Sequence, residues 1–427
     1  MLTMPQEKQK QIVLGLTGPF GSGCSTLAKV LKEDYKFEIF CLSDFVRDVW
    51  KAQPENKDKD VKDAPREELQ SIGNKYRREK GHAILAEMAY GKAKEEQKIE
   101  PSCLVFDSIR NTAEVAYFRK RFPDFFLIAV DCVEPDRWMR VQESYGRNYH
   151  VFQEDDRRDK NEEGIPHGQQ VALCVDDADV LIRNDTDPMV RTKVAWEQRL
   201  NEKIGSYIEL FEGRLDLPTE EESYMSIAYC ASLMSQCFKR QVGAVIIDEQ
   251  GRVVSVGYNE NPQPLKPCNE EFFDCFREMY IDELMAELKF CPECGKPLVD
   301  FKYPYDCNYC KRNIYRMVVR DRALNRCSAL HAEERAIMTI GARNLKNCAL
   351  YVTTFPCFTC AQKILDVGIR TVWYAESYPD IDSLQLFERA KTVSLQKFEG
   401  VKARAYFRLF PQWRIQEENR MLTKRTR

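Results

Sequence analysis

Two short runs near the C-terminal end constrain the fold most. The first is His331-Ala332-Glu333, and the second is Pro356-Cys357-Phe358-Thr359-Cys360. One imidazole and two thiolates are a donor set for zinc that leaves a fourth position open. To meet on one ion, the segments between them must return on themselves. HAEERAIMTIGA reads as a helix with His331 and Glu333 on its first turn, and CFTCAQKILDVG reads as a second helix. Cys357 and Cys360 are three apart, on one face of that second helix. NCALYVTT between the helices reads as a strand. Two helix starts therefore converge on one point, and their positive ends favour thiolate.

A non-ligating carboxylate two residues past the imidazole adds a proton carrier beside such a centre. H-x-E followed by P-C-x-x-C is the pattern of zinc-dependent nucleobase deaminases. LYVTTFPCFTCAQKILDVGIRTVWY, KRQVGAVIID, GYNENP and AESYPD together resemble the deoxycytidylate deaminase family over roughly residues 220–400. The resemblance implies a cytidine-deaminase-like three-layer α/β/α fold and a cytosine nucleotide substrate. It also implies a catalytic zinc on His331, Cys357 and Cys360, with Glu333 as the proton shuttle. Asn259 and Tyr378 match family positions near the nucleotide; their ordinary roles are a loop cap and core packing.

A chain of 427 residues exceeds one typical domain, so two are expected. Its 44% hydrophobic and 31% charged residues describe a globular, cytoplasmic protein with no membrane-length apolar run. The N-terminus is polar and does not read as an export signal. A net charge of −3 argues against a dedicated nucleic-acid binder. Seventeen cysteines without an export signal point to metal and not to disulfides. With only four histidines in the chain, His331 stands out as a ligand.

In the first half, QIVLGLT is a strand running into Gly18-Pro-Phe-Gly21-Ser-Gly23-Cys24-Ser25-Thr26 and then a helix. Strand, glycine loop and helix is the P-loop context. Backbone N–H groups and the helix end would cradle phosphate. Ser25 could still reach a magnesium ion accompanying a nucleotide. Cys24 stands where the P-loop lysine belongs, so the cation for phosphoryl transfer is missing. Asp44 and Arg47 follow a second strand, and Asp107, Arg110 and Glu114 follow a third. FDSIRNTAEVAYFRK is similar to a signature of small P-loop kinases of the dephospho-coenzyme-A and deoxynucleotide kinase type. Alternating strands and helices predict a parallel doubly wound sheet over roughly 11–213, a nucleoside-monophosphate-kinase-like half. EDDRRDKNEE (154–163) lies at a lid position and reads equally as a solvated charged loop.

The boundary is expected near 214–218, dividing the chain into 1–214 and 215–427. Thr219 and Glu222 form a capping-box start for a helix 220–238, whose apolar face runs through Met225, Ala228, Tyr229, Ser232 and Leu233. KRQVGAVIIDEQGRVVSVGYNENP reads as a hairpin turning at Asp248–Gly251. Residues 262–328 form an insertion holding Cys291-x-x-Cys294 and Cys307-x-x-Cys310, twelve residues apart, a zinc-ribbon spacing with a closed structural site. Cys268, Cys275 and Cys327 flank it. The sequence shows no fourth ligand that would make them a further metal site, and buried free thiols are their default reading. GIRTVWYA and VSLQKF read as the last strands. The tail with Arg404, Arg408, Arg414, Arg420, Lys424, Arg425 and Arg427 is basic and reads as solvated.

A P-loop half with an altered lysine, joined to a deoxycytidylate-deaminase half, resembles the bacterial anti-phage deoxycytidine nucleotide deaminases. That implies hydrolysis of dCTP, dCMP or both to the uracil form, depleting the pool during infection. It also implies a homo-oligomer, a regulatory nucleotide at the P-loop half and an off-switch by nucleotide, protein or RNA. The alternatives are a nucleic-acid editing deaminase, which the acidity opposes, and a bifunctional kinase–deaminase, which Cys24 opposes.

Overall fold

The computed structural model describes residues 11–61, 64–96, 103–160, 166–185, 193–213, 217–298, 307–310, 314, 327–341, 345–375 and 381–410. The chain divides into two compact units, 1–223 with 398–427, and 224–397.

The first unit is built on strands β1 (Val13–Thr17), β2 (Glu38–Cys41), β3 (Leu104–Asp107), β4 (Phe125–Asp131) and β5 (Val180–Arg183). All five pair in parallel, in the order β2, β3, β1, β4, β5. β1, β3 and β4 are buried along their whole length, the mark of a parallel sheet covered on both faces. The helices between the strands are α1 (Cys24–Glu33), α2 (Leu42–Lys51), α3 (Arg66–Lys80), α4 (Ile84–Glu95), α5 (Thr112–Arg121), α6 (Glu134–Val141), α7 (Tyr149–Lys160), α8 (Val171–Asp176) and α9 (Lys193–Phe211). Alternate residues of β1 explain the two faces. Leu14 and Leu16 join a core with Leu27 and Leu31 of α1 and Ile204, Ile208 and Phe211 of α9. On the opposite face Phe106 stacks on Phe118 at 4.1 Å, and Phe118 on Phe125 at 5.6 Å.

The 154–163 segment differs from a solvated loop. Residues up to Lys160 are helix α7, and Asp156 and Asp159 are buried. Asp159 pairs with Arg66 and with Arg110, and Asp156 takes a hydrogen bond of 2.9 Å from Arg137. Buried carboxylates need such partners, so this segment packs inward. Residues 161–163 lie outside the described set.

α10 (Glu220–Ser232) begins with the expected capping box: Glu222 N donates to Thr219 Oγ1 at 3.1 Å, and Thr219 N to the Glu222 carboxylate at 2.9 Å. It ends at Ser232, not at 238. Ser232 Oγ bonds back to Tyr229 O, and Ser235 Oγ bonds to Asn259 O, so the following residues turn into a loop. Leu233 therefore leaves the apolar face and stands 74% exposed.

The second unit carries β6 (Gly243–Ile247), β7 (Val253–Tyr258), β8 (Ala349–Val352), β9 (Thr371–Tyr374) and β10 (Ser394–Lys397), ordered β10, β9, β8, β6, β7. β6 and β7 are an antiparallel hairpin closed by Asp248 and Arg252, while β8, β9 and β10 run parallel. The insertion contributes α11 (Cys268–Glu271) and α12 (Phe276–Glu287). The rest of the unit contributes α13 (Ala332–Ile340), α14 (Phe358–Asp366) and α15 (Ile381–Ala390). Ala244, Ile246, Leu350, Val352 and Val372 face Ala332, Ala336, Ala361, Ile364 and Phe387. Gly243, on the opposite face, meets Ala228 of α10, and Tyr351 stacks on Trp373. Helices thus cover both faces in three layers.

The chain then returns to the first unit. β11 (Gly400–Val401) pairs antiparallel with β5, followed by α16 (Ala403–Leu409). Glu222 accepts from Val401 N, and Glu399 accepts from Lys203. The sequence reading assigned everything beyond 215 to the second domain. A two-residue strand has no periodicity by which its sheet could be read.

Candidate active site

The loop between β7 and α13 and the loop between β8 and α14 set the site. Glu260 and Leu330 exchange backbone hydrogen bonds of 3.2 and 3.0 Å, which fixes the entry to α13. His331 is then the N-cap of α13, with Glu333 in its first turn. Cys357 is the N-cap of α14, with Cys360 one turn on. The turn before it is pinned from α15, where Ser383 Oγ donates to Pro356 O at 2.7 Å. His331 Nδ1 lies 3.3 Å from Cys357 Sγ and 3.4 Å from Cys360 Sγ. The three donor atoms all fall within 4.8 Å of one another. One nitrogen and two sulfurs at the open ends of two helices fit a zinc with a vacant fourth position.

The same packing shapes the electrostatics. A hydrogen bond from Cys360, with His331 and Thr359 beside it, holds the Cys357 thiol down to about 3, and Cys360 moves up in exchange. The bond to Cys357 raises His331. Glu333 is buried at 4% exposure, and that burial pushes its carboxyl up to about 7. Its neighbour Glu334 pairs with Lys363 at 2.6 Å, tying α13 to α14.

The insertion holds a second cluster. Cys291 Sγ and Cys310 Sγ are 3.7 Å apart, as are Cys294 Sγ and Cys307 Sγ, and all four lie within 4.8 Å. Cys291 N donates to Lys296 O at 2.8 Å around Gly295, whose φ of +68° only glycine adopts readily. Backbone N–H groups from Cys310 and Tyr309 hold Cys307 down to about 6. Four sulfurs so grouped suit a closed tetrahedral zinc site, and Ile281, Met285 and Ile314 pack against them.

Residues 218–376 match the model of the cytidine and deoxycytidylate deaminase zinc-binding region. The second half of the chain carries a deoxycytidylate-deaminase-family domain. Similar curated proteins are deoxycytidylate deaminases. The one from Schizosaccharomyces pombe is 29% identical over 54% of this chain and 54% of its own length. The one from Saccharomyces cerevisiae is 31% identical over 40% and 43%, and the human protein is 28% identical over 42% and 78%. The chain thus spans about half the length of the first two relatives.

Within the deaminase-family domain, Asn259 is 8% exposed and serves the backbone on both sides of its amide. Oδ1 accepts from Val242 N at 2.7 Å, and Nδ2 donates to Arg240 O at 2.9 Å. It pins the loop entering β6. Tyr378 lies outside the described residues. Gly257 was not singled out by the sequence: it sits beneath α13, where a Cβ would lie 2.1 Å from Ala332 O.

In the first unit, Gly23 caps α1 at φ +112°, and Ser25 and Thr26 follow on the helix. Burial, with Asp107 beside it, pushes the Cys24 thiol up to about 12, so it is a neutral group 3.6 Å from Ser22 Oγ. Asp107 ends β3, buried, with its carboxyl raised by that burial. Two arginines of α6, missed in the sequence, hold the loop from its carbonyl side. Arg137 donates to Phe20 O at 3.1 Å, and Arg140 to Gly21 O and Ser22 O at 3.3 Å. Asp44 pairs with Arg47 at 3.1 Å, and Glu114 with Arg77 at 2.8 Å. Arg404 and Arg408 of the basic tail pair with Asp177 and Asp179. Arg414, Arg420, Lys424, Arg425 and Arg427 lie outside the described residues. Among the described residues no helix is long and apolar enough to cross a membrane.

Proposed function

We propose that this protein is a zinc-dependent hydrolytic deaminase of cytosine deoxynucleotides, acting on dCTP, dCMP or both and releasing ammonia. The observation that carries the reading is the buried Glu333 carboxyl, two residues past His331 and next to the Cys357–Cys360 pair. His331, Cys357 and Cys360 would hold zinc, which when bound supplies a water acidic enough to attack an amidine carbon. Glu333 would carry one proton from the attacking water to the ring nitrogen and a second, from the hydroxyl group so added, to the amine, which leaves as ammonia. The Glu334–Lys363 pair and the Ser383 bond keep the two helix starts in register during this exchange. The names of the curated relatives support cytosine deoxynucleotides as the substrate class. Cys291, Cys294, Cys307 and Cys310 would hold a structural zinc.

The first unit acts as the regulatory half. Beside Phe20 of its glycine loop opens a cavity of about 1240 Å³, bordered by Arg47, Arg66, Tyr145 and Arg158 and also by the carboxylates of Asp60, Glu67, Glu143, Glu154 and Asp155. The aromatic rings suit a nucleotide's base and the guanidiniums its phosphates, and the carboxylates beside them call for a cation to accompany it. With a protonated thiol at Cys24, nucleotide binding without efficient phosphoryl transfer is expected. Such a protein, assembled as a homo-oligomer and held off by a nucleotide, protein or RNA, would deplete the dC pool during phage infection.

Purified protein and Glu333→Ala are compared for ammonia release on dCTP, dCMP, dCDP, CTP, cytidine and a cytosine-containing single strand. Conversion of a free deoxynucleotide, lost in the variant, supports the proposal. Activity confined to the strand overturns it in favour of editing.

A further inference from the structure

We propose that Arg66 and Arg110, beside the glycine loop of the first unit, form a subsite for a phosphoryl group. In this structure the Asp159 carboxylate fills that subsite, so a phosphate-bearing ligand at the loop and the docked last turn of α7 exclude each other. The inference rests on the reading of this unit as a nucleotide-binding half. Both guanidiniums are placed against the loop. Arg66 stacks over the Phe20 ring, 3.9 Å from its centroid. Arg110 follows β3, whose end is stitched to the strand entering the loop: Thr17 Oγ1 donates to Ile109 O at 2.8 Å, and Ile109 N to Leu16 O at 3.1 Å. Its guanidinium lies within electrostatic reach of Asp107 and of Cys24, the residue standing where the P-loop lysine belongs. Arg110 therefore brings to the loop the cation that Cys24 does not supply.

The shell around Asp159 suits an anion but fits a carboxylate incompletely. Asp159 is fully buried. Its Oδ2 accepts from Arg66 Nη2 and from Arg110 Nη1 at 2.8 Å, and its Oδ1 accepts from Gln70 Nε2 at 2.6 Å. Both guanidiniums crowd one oxygen. Arg66 Nε is buried without a hydrogen-bond partner among the described residues, and so is Gln70 Oε1. A terminal phosphoryl group has one more acceptor oxygen than a carboxylate and a larger charge, so it can take the Arg66 fork along its whole edge. The carboxylate is also poorly placed on its own helix. Asp159 is next to last in α7, where the negative end of the helix disfavours an acid. The rest of α7 is seated independently, since Asp156 accepts from Arg137 at 2.9 Å and Phe152 packs on Trp138 and Tyr145. Displacing Asp159 thus frees the last turn alone. Asp155, on the rim of the neighbouring cavity, accepts instead from Tyr145 Oη at 3.0 Å.

The test uses the full-length protein with magnesium ATP and inorganic tripolyphosphate as probes. Affinity is measured by calorimetry for the wild type, Asp159→Asn, Asp155→Asn and Arg110→Gln, and hydrogen–deuterium exchange is followed over α7. Asp159→Asn is expected to bind a probe about tenfold or more tightly, because removing a competitor that holds most of the population raises apparent affinity by the reciprocal of the free fraction. Asp155→Asn removes the same charge from the cavity rim and should change binding much less, while Arg110→Gln should weaken it about tenfold. In the wild type, a saturating probe should speed exchange in the last turn of α7 and not in its first. Equal tightening in the two aspartate variants would mean charge alone and overturns the inference. Unchanged or slower exchange of the last turn under bound probe does the same. Binding that Asp159→Asn leaves unaltered overturns the inference and keeps the nucleotide reading, whereas no binding of either probe to any of the four proteins removes both. If Asp159→Asn does not fold, the wild-type exchange decides.

Discussion

Replacing Gly257 by alanine tests how tightly the candidate centre is seated. Gly257 lies on β7, under the first turn of α13. An added Cβ would stand 2.1 Å from Ala332 O, 2.6 Å from Ala336 N and 3.0 Å from Ala336 Cβ. A carbon normally keeps about 3.3 Å from a carbonyl oxygen, so strand and helix must part by roughly 1 Å. Two of these contacts are backbone, so no side-chain rotation relieves them. Ala332 sits between His331 and Glu333, and the displacement passes directly to both. Overpacking of this kind costs about 1–3 kcal/mol. A misplacement of about 1 Å in reacting groups costs on the order of 100-fold in rate. Gly257→Ala is therefore expected to lower the thermal transition of the second unit, to weaken zinc retention and to cut kcat/KM for deamination about 100-fold. Gly91→Ala is the control. It is mid-helix with nothing within 4 Å of an added Cβ, and it should stabilise slightly, by up to about 1 kcal/mol. Wild-type melting and wild-type kcat/KM for Gly257→Ala would refute the close packing and the argument built on it.

Glu333→Gln keeps the shape of the side chain and removes its base. Zinc content should be unchanged while ammonia release falls about 100- to 10,000-fold, and loss of zinc together with activity would count against a purely proton-carrying role. Burial alone would raise the Asp159 carboxyl, but the Arg110 and Arg66 guanidiniums outweigh it and hold the group at about 2, below the usual 3.8. A depressed carboxylate adds stability above its unfolded pKa and loses it as pH falls toward its folded one, so about 2.5 kcal/mol should vanish between pH 4 and 2. Acid denaturation of Asp159→Asn should lack that slope; an identical slope would show that the pairing contributes nothing. Arg77→Ala leaves the fully buried Glu114 without its counter-charge and should cost about 3–5 kcal/mol by thermal denaturation, whereas Arg77→Ala with Glu114→Ala should cost less than the sum of the two single variants.

Much of the candidate centre was legible because its ligands come in pairs at helical or turn spacing. His331 with Glu333, Cys357 with Cys360 and each ribbon knuckle are local patterns, and local patterns survive without knowledge of the fold. The strand–helix alternation of the first unit was readable for the same reason. Contacts made across long loops were not. Arg137 and Arg140 read as an ordinary polar helix face, and only the fold shows their guanidiniums on the carbonyls of the glycine loop. The same holds for Asp156 and Asp159, whose surroundings in sequence are uniformly charged although both are buried. Gly257 looks like any strand glycine until α13 is laid over it.

The return of β11 to the first sheet bears on the order in which a ribosome can deliver this protein. The second unit is one uninterrupted stretch, 224–397, and can fold as soon as it has emerged. The first unit cannot be finished until residues 400–401 reach β5, although most of it was synthesised first. Until then β5 has an unpaired edge, open to pairing with other chains. Lys402 arrives at the same time, closing the carbonyls of Val175 and Asp176. A stop codon introduced just before Phe398 would therefore damage the glycine-loop unit at the opposite end of the chain, leaving the nearby deaminase-family unit with every strand it needs.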